Sequence, residues 1–215
     1  MATTTAVHLL RHGEVHNPEG VLYGRLPGYH LSELGVAMAE RVARYLTGGG
    51  HDVAHVVASP LERAQETAAP VAAAYGLEVA TDDRLLEAEN HFQGLTFGVG
   101  DGSLHHPAHW WVMRNPIRPS WGEPYEQQAA RMLAAAADAR AVADGREAVL
   151  VSHQLPVWTA RNKAKGHRLW HDPRRRECSL ASLTSLQYDG DRLVGVTYTE
   201  PVADLLPGAN QVAGA

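Results

Sequence analysis

Short apolar runs alternate with longer stretches of helical period along this chain. "AVHLL", residues 6–10, reads as a buried strand. Ser32 predicts the cap of a helix reaching about Leu46, because Leu34, Met38, Val42 and Leu46 recur every four residues on one face. Three glycines at 48–50 end it. "HVVAS", residues 55–59, predicts a second strand. Ser59 is then read as a helix cap with Pro60 at the first helical position, and Pro70 is expected to kink or end that helix. "LEVATDDRLLE" carries a third strand and an acidic turn. Residues 98–122, rich in Gly, His, Pro and Trp, read as irregular. "EPYEQQAARMLAAAADARAVA" is a strong helix, "AVLVS" at 148–152 a fully buried strand, and a further helix starts near Leu155. "LASLTSLQYDGDRLVGVTY" alternates around an Asp-Gly pair and predicts a hairpin.

Strands alternating with helices imply an α/β protein with a mostly parallel central sheet, covered on both faces as a three-layer α/β/α sandwich. A single domain over 1–215 is expected, with a mostly helical insertion at about 88–145. The 45% hydrophobic content is ordinary for a globular chain. The net charge of −5 argues against a general affinity for nucleic acid. No apolar run approaches the ~20 residues that span a bilayer, so no membrane association is expected. "MATTTAV" has neither a basic nor a long apolar segment, so no secretion signal is read. Cys178 is the single cysteine, which rules out an internal disulfide and fits a cytoplasmic location. A homodimer is the default assembly.

Charge at strand ends changes this picture. Ligands of open α/β sheets sit beyond the carboxyl ends of the strands. The first strand ends in Arg11 and His12, the second is followed by "SPLER" with Arg63, and the strand at 148–152 ends in His153. Two arginines and two histidines converging beside a helix N-terminus make an anion site, and arginine forks suit phosphate.

"LLRHGE", "SPLERAQETA", "RLLEAE" and "VLVSHQ" occur in the order and spacing of the histidine phosphatase superfamily, also called phosphoglycerate-mutase-like, which this chain resembles over about residues 6–165. "YGRLPGYHLSELG" resembles the segment after that family's first motif. The resemblance implies that His12 is the nucleophile accepting the phosphoryl group, and that Arg11, Arg63 and a protonated His153 hold its oxygens. It also implies that Asn17 is an additional phosphate donor and that Glu87 protonates the leaving oxygen. The chain departs from the family in having Gln154 after its second histidine. It also reads "ENHFQG" after the acid, which leaves Glu87 and Glu89 as alternatives. Glu14 is expected to pair with an arginine.

The implied activity is a metal-independent phosphomonoesterase, without cofactor, acting on a small-molecule phosphate ester. The alternatives are a cofactor-dependent phosphoglycerate mutase and, from another class, a silent phospho-ligand binding module. The insertion contains little positive charge, which predicts a substrate with an apolar or neutral remainder. The basic stretch at 161–176 could supply what is missing. His105, His106 and His109 lie close together, but Pro107 interrupts them and no cysteine or carboxylate cluster joins them, so no metal site is read there.

Overall fold

The computed structural model describes residues 4–96, 111, 114–115, 119–172 and 175–209. Six strands form one sheet: β1 (Thr4–Arg11), β2 (Val53–Ala58), β3 (Val79–Thr81), β4 (Glu147–Ser152), β5 (Leu183–Asp189) and β6 (Arg192–Thr199). Their order is β3-β2-β4-β1-β5-β6. The first four run parallel, and the β5–β6 hairpin adds antiparallel to β1. Among the described residues four helices cover the sheet: α1 (Glu33–Gly48), α2 (Glu62–Tyr75), α3 (Tyr125–Ala143) and α4 (Gln154–Ala164).

The strand sequences explain why both faces are covered. Leu10, Val56, Ala58, Val149 and Val151 join the core under α1 and α2. Val7, Leu9, Val57, Ala148 and Leu150 alternate with them and join the core under α3 and α4. A strand buried on both faces needs this unbroken apolar run. Burying Leu9 and Leu10 completely contributes roughly 1.5–3 kcal/mol each.

Two expectations at α2 are corrected. Ser59 does not cap it: the cap position is Leu61, with no side-chain cap bond. The Ser59 hydroxyl is instead within hydrogen-bonding distance of His153. Pro70 does not end the helix, which continues to Tyr75. Its neighbours Ala68, Val71 and Ala72 are buried, and that packing outweighs a proline cost of about 3 kcal/mol. Among the described residues, no helix is long and apolar enough to cross a membrane.

Candidate active site

Parallel pairing of β1 with β4 places Arg11 opposite Ser152, so His12 and His153 leave the sheet side by side. The His12 amide donates to the Ser152 carbonyl at 3.1 Å, which ties the two strand ends together. The imidazole rings meet edge to face with centroids 5.1 Å apart. Both are completely buried. The His12 Nδ1 lies 2.8 Å from the Gly13 carbonyl oxygen. A carbonyl only accepts, so Nδ1 carries the proton and Nε2 carries the lone pair. His153 is held from the other side, its Nε2 2.9 Å from the Ser59 hydroxyl.

Each of the two arginines is tethered by one nitrogen. Arg11 donates through Nη1 to the Cys178 carbonyl at 2.7 Å, and Arg63 through Nη2 to the Gly24 carbonyl at 2.5 Å. The Arg63 guanidinium also lies over the Tyr23 ring, 4.6 Å from its centroid. The remaining donors stay unused. Arg11 Nε, Arg63 Nε and Nη1, His12 Nε2, His153 Nδ1 and Glu87 Oε2 are buried with no hydrogen-bond partner among the described residues. Unsatisfied buried polar atoms are rare in folded proteins, and such a concentration marks a place built to receive a polar ligand.

Glu87 follows a 3₁₀ turn (Asp83–Leu85) whose Leu85 carbonyl accepts from Ser152 Oγ at 2.7 Å. That bond fastens the Glu87 segment to the tip of β4. Glu87 itself is 2% exposed, and its Oε1 accepts from the Ala88 amide at 2.8 Å. Burial raises its pKa above the usual carboxylate value, against the pull of the Ala88 amide and of Arg63, Arg176 and Arg11. Burial, then the charges of Arg63 and Arg11, lower His12 well below an ordinary histidine. Burial and Arg63 do the same to His153. The pocket therefore holds two imidazoles whose pKa values are lowered beside a carboxyl whose pKa is raised. For His153, burial and the nearby guanidinium groups act against a further positive charge.

The family model of the histidine phosphatase superfamily (branch 1) matches residues 7–201. The chain belongs to this superfamily. An uncharacterized protein of Mycobacterium tuberculosis is 59% identical, the match covering 94% of this chain and 100% of that one. A probable phosphoglycerate mutase of Yersinia pestis is 30% identical over 81% of this chain and 82% of its own. Among solved structures, a mycobacterial glucosyl-3-phosphoglycerate phosphatase superposes with a TM-score of 0.71 at 26% identity, covering 91% of this chain and 96% of that one.

In this member of the superfamily the remaining candidates are distributed unevenly. Glu89 is exposed and pairs with Arg25 at 3.0 Å, away from the buried cluster that contains Glu87. The Asn17 side chain spans a turn: Nδ2 donates to the Val21 carbonyl at 2.9 Å and Oδ1 accepts from the Val21 amide at 3.1 Å. One amide hydrogen of Asn17 remains for a ligand. Glu14 accepts from the Ser32 hydroxyl at the head of α1. His105, His106 and His109 lie outside the described residues.

Three contributors were missed in the sequence. Ser59 orients His153. Arg25 donates through Nε to the Glu87 carbonyl at 2.6 Å and braces the acid's backbone. Arg176 brings a third guanidinium close enough to influence Glu87 and Arg11. It is held by Gln154 Oε1 at 3.1 Å and His171 Nε2 at 2.9 Å. Gln154 thus has a use at the position where the family pattern has glycine. Each had a signal in the sequence: Ser59 opens "SPLERAQETA", Arg25 stands in "YGRLPGYHLSELG", and Arg176 closes the basic stretch at 161–176.

Proposed function

We propose that the protein is a metal-independent phosphomonoesterase that cleaves a small phosphorylated metabolite through a phosphohistidine on His12. The reading rests on one observation: among the described residues, six buried polar atoms of Arg11, His12, Arg63, Glu87 and His153 have no partner, and the Nδ1 of His12 is already committed to a carbonyl. Nε2 of His12 attacks phosphorus while the bond to the leaving oxygen breaks. Arg11 and Arg63 offset the negative charge on the three non-bridging oxygens, and the free Nδ1 position of His153 adds a contact. Phosphoryl transfer needs little more than such positioning and charge. Arrival of a phosphate dianion favours protonation of His153. Asn17 is the candidate for a further phosphate donor. Glu87 gives its proton to the leaving oxygen, and its carboxylate then takes one from the water that displaces phosphate from His12.

Arg176 modifies the expectation of a neutral substrate remainder. A third guanidinium beside Glu87 suits a substrate carrying a second anionic group. The same feature keeps a mutase as the second reading, since a mutase must hold a bisphosphorylated intermediate.

The deciding experiment is a screen of phosphorylated metabolites for phosphate release, with His12→Ala as the blank. The wild-type protein releases phosphate, and the variant loses turnover by on the order of 10⁴-fold or more, the scale of losing a covalent route. Trapped phosphoenzyme is labile to acid and stable to base. EDTA leaves the rate unchanged. Activity that disappears with EDTA and returns with zinc overturns the reading. Efficient interconversion of 3- and 2-phosphoglycerate with only trace phosphate released replaces it with the mutase.

A further inference from the structure

A second set of ionisable side chains gathers away from the histidine pair and takes no part in the chemistry above. His8 lies in the middle of β1, His51 in the turn between α1 and β2, and Glu147 at the start of β4. His8 Nε2 is 3.2 Å from Glu147 Oε2, and His51 Nδ1 is 2.9 Å from the same oxygen. One ligand atom from each residue lies within 4.8 Å of the other two. The two rings stand edge to face at 5.1 Å. A cavity of about 180 Å³ adjoins them, lined also by Tyr45, Gln187, Thr197 and Thr199.

We propose that His8 Nε2, His51 Nδ1 and Glu147 Oε2 form a site for one divalent transition-metal ion, zinc in particular, with its fourth position open to this cavity. Two imidazoles and one carboxylate are a donor set that zinc uses when one position is left for water. Imidazole nitrogen favours zinc, nickel or copper over magnesium and calcium.

The surroundings fit a ligand role. His8 is 3% exposed, so its ring is already positioned. Its other nitrogen, Nδ1, is 2.7 Å from Ser185 Oγ. Metal-bound histidines commonly fix their second nitrogen this way. A hydroxyl both donates and accepts, so Ser185 serves either tautomer. It can give its proton to Nδ1 when Nε2–H faces Glu147, and it can accept from Nδ1–H when the Nε2 lone pair faces a metal. Glu147 Oε2 already lies between the two rings, within hydrogen-bonding distance of both.

The site is structural with respect to phosphoryl transfer. His8 and His12 are four residues apart along an extended chain, or about 13 Å. An ion there would join β1, β4 and the α1–β2 turn, segments far apart in sequence.

The test is calorimetric titration of the whole chain, first dialysed against a chelator, with zinc chloride, alongside cobalt(II) absorption spectroscopy. One zinc binds per chain, cobalt shows the visible band of a low-coordinate site, and zinc raises the Tm by several degrees. His51→Ala and Glu147→Gln each weaken zinc binding at least tenfold. Ser185→Ala, which leaves all three ligands in place, weakens it by a smaller factor and serves as the readout if either ligand variant fails to fold. Absence of binding at millimolar zinc overturns the proposal. So does a stoichiometric site that survives undiminished in these variants, since that ion would sit elsewhere.

Discussion

Glu87 and Glu89 are two residues apart and have opposite surroundings. Glu87 is buried with an unpaired oxygen, and Glu89 is exposed and paired with Arg25. Glu87→Gln is therefore expected to slow alkyl phosphate esters by about 10²–10⁴-fold while slowing p-nitrophenyl phosphate far less, because an activated leaving group needs little protonation. Glu89→Gln has little effect on either substrate. Steady-state rates over a series of leaving groups check this, and a leaving-group dependence seen only with Glu89→Gln reverses the assignment. The pKa directions set the pH profile. His12 must be unprotonated, and burial with two arginines lowers its pKa below 6.5. Glu87 must be protonated, and burial raises its pKa above 4.5. Both shifts favour activity on the acid side of neutrality. A bell-shaped kcat/KM is expected with its maximum below pH 7, and Glu87→Gln flattens the alkaline limb. An optimum above pH 8 contradicts the assignment. At this scale the residue types were legible in the sequence and their surroundings were not. The lowered pKa of His153 follows from burial and the arginine charges around it, which neighbours in sequence do not reveal.

At the scale of elements, the tip of β1 is pressed against the head of α1. A Cβ on Gly13 would meet the Gly35 carbonyl oxygen at 2.7 Å, and one on Gly35 would overlap the Glu14 carbonyl oxygen. Gly35→Ala puts two effects in opposition. Alanine gains about 1 kcal/mol of helix propensity. Against that, overpacking onto backbone atoms typically costs 1–3 kcal/mol. Backbone cannot rotate away as a side chain does, so the clash dominates. The variant is expected to lose net stability, read as a lower denaturant midpoint, and to lose activity as residues 11–14 shift. A higher midpoint with full activity contradicts the close packing. The strands and the α1 cap were readable because their apolar period and Ser32 act locally. The start of α2 was not. Ser59 and Pro60 resemble a helix start, yet the Ser59 hydroxyl is used across the pocket by His153, 94 residues away. Arg176 lies in a stretch with no strand or helix period, so only its charge drew attention.

For the whole molecule, the two buried histidines link stability to acidity. Unfolded histidines bind protons as pH falls below 6.5, while burial and arginine charge keep His12 and His153 neutral to lower pH. The unfolded chain then holds more protons, so stability declines as pH drops from 6.5 toward the folded values, by up to about 1.4 kcal/mol per pH unit for each group. His55 and His171 act in the same direction, while His30, whose pKa Glu66 raises, and Glu87, whose pKa burial raises, act in the opposite one. Thermal melts from pH 7 to 5 are expected to show a falling Tm, with a shallower slope in a His12→Asn, His153→Asn double variant. An equal slope in both proteins contradicts the account. The three-layer architecture was readable from alternation alone, because every buried strand reports its own surroundings. The His8, His51 and Glu147 cluster was invisible there, since no spacing in sequence connects positions brought together only by strand order.

That strand order also governs when the enzyme can first exist. β1 is synthesised first, but both its neighbours in the sheet, β4 and β5, come from residues 147–189. At about 5–20 residues per second, the ribosome needs roughly ten to forty seconds to deliver them. Until β4 and His153 emerge, Leu9 and Leu10 have neither edge of their strand paired and His12 has no His153 beside it. A chain released before β5 is complete therefore carries His12 but not the finished sheet around it, and displays an open, apolar edge to whatever else is folding nearby.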